Sequence, residues 1–143
     1  MKLFAVFLIR FIIDWLSPTA SEQQIFNLIN AYRVKNGKPA LTYSDSLSRV
    51  AKTHAVDLYE HFIYNDKSCN LHSWSKSAKW TGGCIQDNSP KETWEIMWSK
   101  PQEIAGINKP GFEISSMYDP KDTESNPDEV VNGWIQSPGH RNC

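Results

Sequence analysis

Apolar side chains recur at helical spacing in the first half of the chain, where they predict two consecutive helices. One set consists of Ile25, Leu28, Ile29 and Tyr32, and the other of Leu47, Val50, Ala51, His54 and Leu58. Positions three and four apart lie on one face of an α-helix, so each set forms an apolar stripe. A capping box at residues 21–24 starts the first stripe, and Gly37 provides a left-handed end. We expect helices over residues 22–36 and 46–60.

Residues 65–90 show neither helical nor strand periodicity. The stretch contains turn-forming runs together with His72, Trp74 and Trp80. A long irregular segment inside a compact domain is usually functional or cross-linked, and this one can be both.

Three more elements are predicted in the second half of the chain. Ser89 opens a short helix, which Pro101 is expected to end because the residue before a proline disfavours the helical conformation. Residues 112–118 are typical of a strand. Asn126 and Pro127 are the cap and first-turn proline of a last helix. The pattern therefore predicts an α-rich domain with few strands.

The first 20 residues have the layout of a secretory signal, with a short apolar core and a small-residue exit after Ala20. The apolar stretch is too short and too charged to span a membrane. Arg10 and Asp14 are unusual inside a signal, so an unprocessed N-terminal extension is the alternative. The predicted organisation is a signal peptide, residues 1–20, followed by one secreted domain, residues 21–143.

The chain contains three cysteines, which a secreted protein is expected to oxidise as far as pairing allows. Cys69 and Cys84 lie inside the irregular segment, where they flank a polar, aromatic-rich loop, and they are the predicted disulfide pair. Cys143 is then left as a free thiol at the last position, which suggests that the chain stops before its partner. The cysteines do not predict a zinc site, because no Cys-x-x-Cys pair is present.

The amino-acid composition limits the classes of partner that the protein is expected to bind. The net charge is -1 and no basic run is present, so the electrostatic footprint of a nucleic-acid-binding protein is missing. Aromatic residues make up 12% of the chain, and large aromatics either fill small cores or line binding clefts. Both interpretations stay open for four tryptophans of the middle segments, which are Trp74, Trp80, Trp94 and Trp98.

Several segments, taken in order, resemble the CAP superfamily of cysteine-rich secretory, antigen 5 and pathogenesis-related 1 proteins, in its microbial form. The segments are residues 25–33, 41–43, 47–58, the Leu71-His72-Ser73 motif, the Gly111-Phe112-Glu113-Ile114 motif, residues 130–134 and the motif Ser137-Pro138-Gly139-His140-Arg141-Asn142. Each motif alone is weak, but their order along the chain makes the resemblance specific.

The resemblance implies an α+β fold, a CAP-type α-β-α sandwich, with a cleft in which two histidines face two glutamates. It assigns His72, Glu113 and His140 to three of these positions, and Ser137 lies near the position of the missing second glutamate. The family fold continues with further strands after this point, so we expect a helix-rich domain that is incomplete at its C-terminus.

Two imidazoles and a carboxylate can bind zinc or a similar divalent ion, with His72 and His140 as the metal ligands, although no cofactor is required. The alternative is a hydrogen-bonded polar network around Glu113. No residue is assigned a catalytic role. We expect His54 to be a packed, hydrogen-bonded histidine rather than a ligand, because it lies on an apolar helix face.

The leading hypothesis for function is a secreted protein that acts by binding a lipid, sterol, carbohydrate or protein. Its predicted partner is a small apolar ligand or an extracellular protein, with no nucleic acid and no membrane span. The alternatives are a metal-dependent hydrolase and a non-functional truncated remnant.

Overall fold

The computed structural model describes residues 17–61, 68–117 and 126–142 of the chain. These residues form two compact units. The first unit combines residues 17–45 with residues 126–142, and the second unit comprises residues 46–117. Most of the predicted signal peptide and all of Cys143 lie outside the described residues.

In the first unit, helix α1 (Ala20–Lys35) packs against helix α5 (Pro127–Gln136), and a short helix α6 (Pro138–Arg141) follows α5. The buried side chains of α5 are Val130 and Val131. At the polar margin of this pair, Gln24 donates a hydrogen bond to Asp128 at 3.0 Å. Burial of two branched apolar residues holds α5 in place.

Helix α1 begins slightly earlier than predicted. Its N-cap is Thr19, whose hydroxyl accepts a hydrogen bond from the backbone N–H of Glu22 at 3.2 Å. The Glu22 carboxylate in turn accepts from the backbone N–H of Thr19 at 2.6 Å. The predicted capping box at Ser21 is therefore wrong by two positions, because threonine offers the same capping hydroxyl and glutamate completes the box. Helix α5 starts at its predicted cap, Asn126.

The second unit begins with helix α2 (Asp45–His61), close to the predicted bounds. A 3-10 turn (Lys91–Trp94), helix α3 (Glu95–Trp98) and helix α4 (Lys100–Ala105) follow the irregular segment. The predicted break near residue 100 falls where α3 gives way to α4. Pro101 lies in the first turn of α4, where a missing N–H costs nothing, and Gly106 ends that helix with a φ of 68°.

The strand predicted over residues 112–118 does not form in its described part, residues 112–117. Strands are defined by pairing, and within the described ranges the pairing is limited to an isolated antiparallel bridge between Trp74 and Gly83. The described parts of the chain are thus helical with no strand, and the expected α-β-α sandwich is not seen in them.

The irregular segment is fixed by a disulfide. Cys69 and Cys84 are joined with a Cα–Cα distance of 5.1 Å, which confirms the predicted pair. Next to this cross-link, the Ser73 hydroxyl accepts from the backbone N–H of Ile85, the residue after Cys84, at 2.8 Å. Ser73 and Ile85 are completely buried, and Trp74 is 2% exposed. The loop therefore supplies core side chains of the second unit rather than lying over it.

Across the three described ranges, none of the helices combines the length and the apolar character that crossing a membrane requires.

We expect the disulfide to stabilise the second unit substantially. Closing a loop of 15 residues contributes about 3 kcal/mol when the cross-link acts on the unfolded chain. The double variant Cys69→Ser with Cys84→Ser should lose roughly that free energy of unfolding, measured by urea denaturation. Cys143→Ser is the matched control and should change stability little. An unchanged midpoint in the double variant would show that packing alone holds the loop.

A carboxylate shared by two histidines

The candidate site lies in the second unit and is centred on the carboxylate of Glu113. One oxygen is 2.5 Å from Nδ1 of His54, and the other is 2.9 Å from Nδ1 of His72. Glu113 is 59 residues from His54 and 41 residues from His72 along the chain. The fold thus gives one carboxylate two imidazole partners.

Three different elements present these side chains. His54 projects from the middle of α2 and is 2% exposed. His72 belongs to the cross-linked loop, where its backbone N–H donates to the Asn70 side chain at 3.0 Å. Glu113 follows Gly111, whose backbone N–H donates to the Trp98 carbonyl at 2.9 Å. Helix α2, the cross-linked loop and the segment after Gly111 therefore each supply one of the three side chains.

Gly111 is needed for the approach of this segment to helix α4. A Cβ atom at position 111 would lie 2.5 Å from Cγ of Pro101 and 2.8 Å from its Cδ. Any larger residue would have to displace the proline ring or move the chain. Because Glu113 is only two residues away, the glycine contributes directly to where the carboxylate lies.

The hydrogen bonds of His54 occupy both of its ring nitrogens. Its Nε2 lies 2.9 Å from the backbone carbonyl of Ser73, which can only accept, so Nε2 donates to it. Its Nδ1 faces the Glu113 carboxylate at 2.5 Å. Neither ring nitrogen of this buried histidine is therefore left for another partner.

Two opposing effects set the pKa of Glu113. Burial raises the pKa, because it disfavours the charged carboxylate. Hydrogen bonds from His54 and His72, together with the electrostatic interaction of those rings with the carboxylate, lower it, and the result is a pKa below the ordinary glutamate value. Glu113 is therefore ionised at neutral pH.

His72 has one ring nitrogen left for other chemistry. Its Nδ1–H donates to Glu113, so in the neutral ring Nε2 has a lone pair. Within the described ranges no hydrogen-bond partner of this Nε2 is found, and the side chain is 18% exposed. The Trp94 ring lies 5.7 Å away, tilted by 46°. An imidazole oriented by a carboxylate can accept a proton or bind a metal through its second nitrogen.

Trp74 packs against this cluster. Its ring stacks on His54 at 4.1 Å with an interplanar angle of 6°. The ammonium of Lys100 lies 5.3 Å from the centre of the same ring, and this lysine is 1% exposed. Burial lowers the pKa of Lys100, which its 2.6 Å ion pair with Glu103 partly offsets. The Trp74 ring thus stacks on one imidazole and lies within cation–π distance of the Lys100 ammonium.

A pocket of about 480 Å³ opens beside Glu113 within the second unit. Its volume is typical of sites for small molecules. Apolar side chains dominate the lining, while Lys100, Lys109 and Glu113 are its charged members. The main apolar contributors are Leu47, Val50, Trp74, Met97, Pro101, Ile107, Phe112 and Ile114. The indole Nε1 of Trp74 is buried and has no hydrogen-bond partner among the described residues.

The structure places the predicted site residues in two groups. His72 and Glu113 are in contact in the second unit. His140 lies in α6 of the first unit, and Ser137 immediately precedes that helix. His54 is packed and hydrogen-bonded, as predicted from its helix face, but its partner was missed. A histidine amid apolar helix positions requires a polar partner, and that requirement was the available signal.

The described residues of the second unit do not form a complete metal site around Glu113. Both oxygens of Glu113 and both nitrogens of His54 are engaged in hydrogen bonds, which leaves Nε2 of His72. Catalytic zinc sites use three protein ligands. Consistent with this, no set of three His, Cys, Asp or Glu side chains positioned for a metal occurs in the described parts of the chain.

The lowered pKa of Glu113 predicts a pH-dependent contribution to stability. A carboxyl group with a depressed folded-state pKa stabilises the fold above its unfolded pKa, and this stabilisation is lost as pH falls through the folded pKa. Glu113→Gln should lower the free energy of unfolding by about 2 kcal/mol at pH 7. The difference from wild type should shrink below roughly pH 4. Urea denaturation at both pH values tests this.

Glu92→Gln is the matched control, because Glu92 is exposed. It should leave stability unchanged at both pH values. A Glu113→Gln effect of equal size at pH 7 and pH 3 would contradict the assignment of an ionised carboxylate.

Comparison with known proteins supports the motifs found in the sequence. The profile of the CAP family, the cysteine-rich secretory protein family, matches residues 26–142. No curated protein and no solved structure matches the chain significantly. The match extends through both units and includes His54, His72 and Glu113. The chain belongs to the cysteine-rich secretory protein (CAP) family.

Proposed function

We propose that this protein acts outside the cell by binding a small, mainly apolar molecule in the pocket beside Glu113. The pocket is the single observation that carries the proposal, since its volume of about 480 Å³ and its apolar lining suit such a ligand. Membership of the cysteine-rich secretory protein family and the disulfide agree with an extracellular location.

The chemistry of the lining suggests a ligand with an apolar body and a polar end. Phe112 is 74% exposed, and its ring lies 6.2 Å from that of Trp98. An exposed aromatic side chain at a pocket gains free energy when a ligand covers it. At the polar end, the buried indole N–H of Trp74, a residue of the pocket lining, has no acceptor among the described residues. A hydroxyl oxygen on a ligand can supply that acceptor.

Binding rather than turnover fits this arrangement. Nε2 of His72 can take up a proton, but a positioned nucleophile is not evident in the described residues beside it. General acid or base work also needs substrate contacts at hydrogen-bond distance from the imidazole. The rigid cluster of Glu113, His54 and His72 acts instead as the polar wall of a binding site.

Removing Phe112 should weaken ligand binding. We expect Phe112→Ala to reduce the affinity for dansyl-labelled undecanoic acid by about tenfold, because much apolar contact area is lost. Fluorescence titration measures this. Tyr59→Ala is the matched control, since Tyr59 is a 65% exposed aromatic residue in α2 that does not line the pocket.

The control variant should bind as the wild type does. Equal affinity of the Phe112 and Tyr59 variants, or no saturable binding by the wild type, would contradict the proposed site.

A metal-dependent hydrolase that uses His72 and Glu113 of the second unit is the second candidate. One observation favours it: Glu113 holds Nδ1 of His72, as carboxylates do for metal-ligating histidines. In that role Glu113 orients a ligand rather than binding the metal itself.

This candidate predicts zinc binding that calorimetry can detect and that His72→Ala abolishes. His61→Ala is the control, because His61 is exposed near the end of α2. If the wild type takes up no zinc, or if the His72 variant still binds it, the hydrolase hypothesis fails while the apolar-ligand proposal remains.

A further inference from the structure

A second concave surface lies on the cross-linked loop, away from the Glu113 cluster. It has a volume of about 580 Å³ and opens widely to solvent. Its lining consists of Lys76, Ser77, Ala78, Lys79, Trp80, Thr81, Gly82 and Glu103. We call this surface the lysine loop. It belongs wholly to the second unit.

The lysine loop is held in one shape by contacts at its base. Ser75 donates both its backbone N–H, at 2.8 Å, and its hydroxyl to the buried carboxylate of Asp57. The indole N–H of Trp80 donates to the Ser75 carbonyl at 2.9 Å. A Cβ atom at Gly82 would lie 2.1 Å from the same carbonyl oxygen, so only glycine permits this closure. A preformed surface binds ligands without paying for loop ordering.

The surface charge of the loop is positive. Lys76 and Lys79 are exposed and have no ion-pair partner among the described residues. The carboxylate in the lining, Glu103, is already neutralised by Lys100 at 2.6 Å and accepts the backbone N–H of Thr81 at 3.2 Å. Residues 67–86 contain no aspartate or glutamate, although the whole chain has a net charge of -1. The two ammonium groups therefore create a local positive field.

The other groups of the loop are suited to sugars. Trp80 is partly exposed and meets Trp74 edge to face at 5.5 Å, which fixes the indole. A rigid indole offers a flat apolar surface that the C–H face of a sugar ring can cover. The hydroxyls of Ser77 and Thr81 can donate to and accept from sugar hydroxyls. Two spaced cations are too few for the extended phosphate tracking of nucleic acids.

We propose that the lysine loop binds an anionic oligosaccharide, with carboxylate or sulfate groups at Lys76 and Lys79 and a sugar ring against Trp80. This site is separate from the pocket beside Glu113 and does not rest on the function proposed for that pocket. The two linings share no residue.

The test uses three hexasaccharides in calorimetry with the disulfide-bonded protein. Chondroitin sulfate carries sulfate and carboxylate, hyaluronan carries carboxylate alone, and chitohexaose is neutral. We expect saturable binding of chondroitin sulfate, with or without hyaluronan, and at least tenfold weaker binding of chitohexaose. Binding of hyaluronan would identify carboxylate as sufficient, and its absence would identify sulfate as the recognised group.

Charge variants locate the site. Lys76→Gln with Lys79→Gln should weaken chondroitin sulfate binding about tenfold, because two ion pairs are lost. Lys76→Arg with Lys79→Arg should keep most of it. The control pair is Lys38→Gln with Lys91→Gln, since both lysines are exposed and lie outside the loop. All four side chains are on the surface, so each variant should fold.

Four results would overturn the proposal. They are no binding of either anionic hexasaccharide, equal binding of chitohexaose, an unchanged affinity in the double glutamine variant of the loop, and equal binding of linear polyphosphate, which would reduce the site to a charge effect without sugar recognition.

Discussion

A buried, ionised carboxylate needs hydrogen-bond donors. In this protein the donors to Glu113 connect several parts of the second unit. Glu113 is ionised although it is largely buried, so the cost of desolvation has to be offset by the two imidazoles. His54 reaches it from a helix, and His72 reaches it from the cross-linked loop. Since His54 also donates to the Ser73 carbonyl, the helix, the loop and the segment after Gly111 are joined at one point.

The residues around this cluster have two roles: some hold its side chains in place, and others line the pocket. Trp74 packs flat against His54, and Lys100 lies near the same ring. These contacts fix the polar wall of the apolar pocket. The exposed aromatic surface of Phe112 is on the pocket side. A site of this kind is preorganised, so ligand binding carries little entropic cost for ordering the polar groups that contact the ligand.

Local signals in the sequence were sufficient for much of the fold. Apolar periodicity identified α1 and α2, the Asn126 cap identified α5, and the position of Cys69 and Cys84 within an aperiodic segment identified the disulfide. The strand failed because pairing is a property of two segments, and residues 112–117 have no paired neighbour in the described ranges.

Only part of the candidate site could be predicted from the sequence. Family motifs pointed to His72 and Glu113, but the partnership of His54 with Glu113 joins residues 59 positions apart. Helix periodicity shows that His54 faces inwards and cannot show which acidic side chain it meets. The 3-10 turn before α3 was likewise missed, since the choice between 3-10 and α geometry depends on packing.

The position of the disulfide also affects how readily the polar cluster assembles during folding. His72 and residues 76–82 of the lysine loop lie between Cys69 and Cys84, whereas His54 and Glu113 lie outside that interval. Synthesis in a reducing compartment would leave this interval as an open chain, with a larger entropic cost for bringing His72 to its carboxylate. Oxidation of Cys69 and Cys84 therefore favours assembly of the polar cluster.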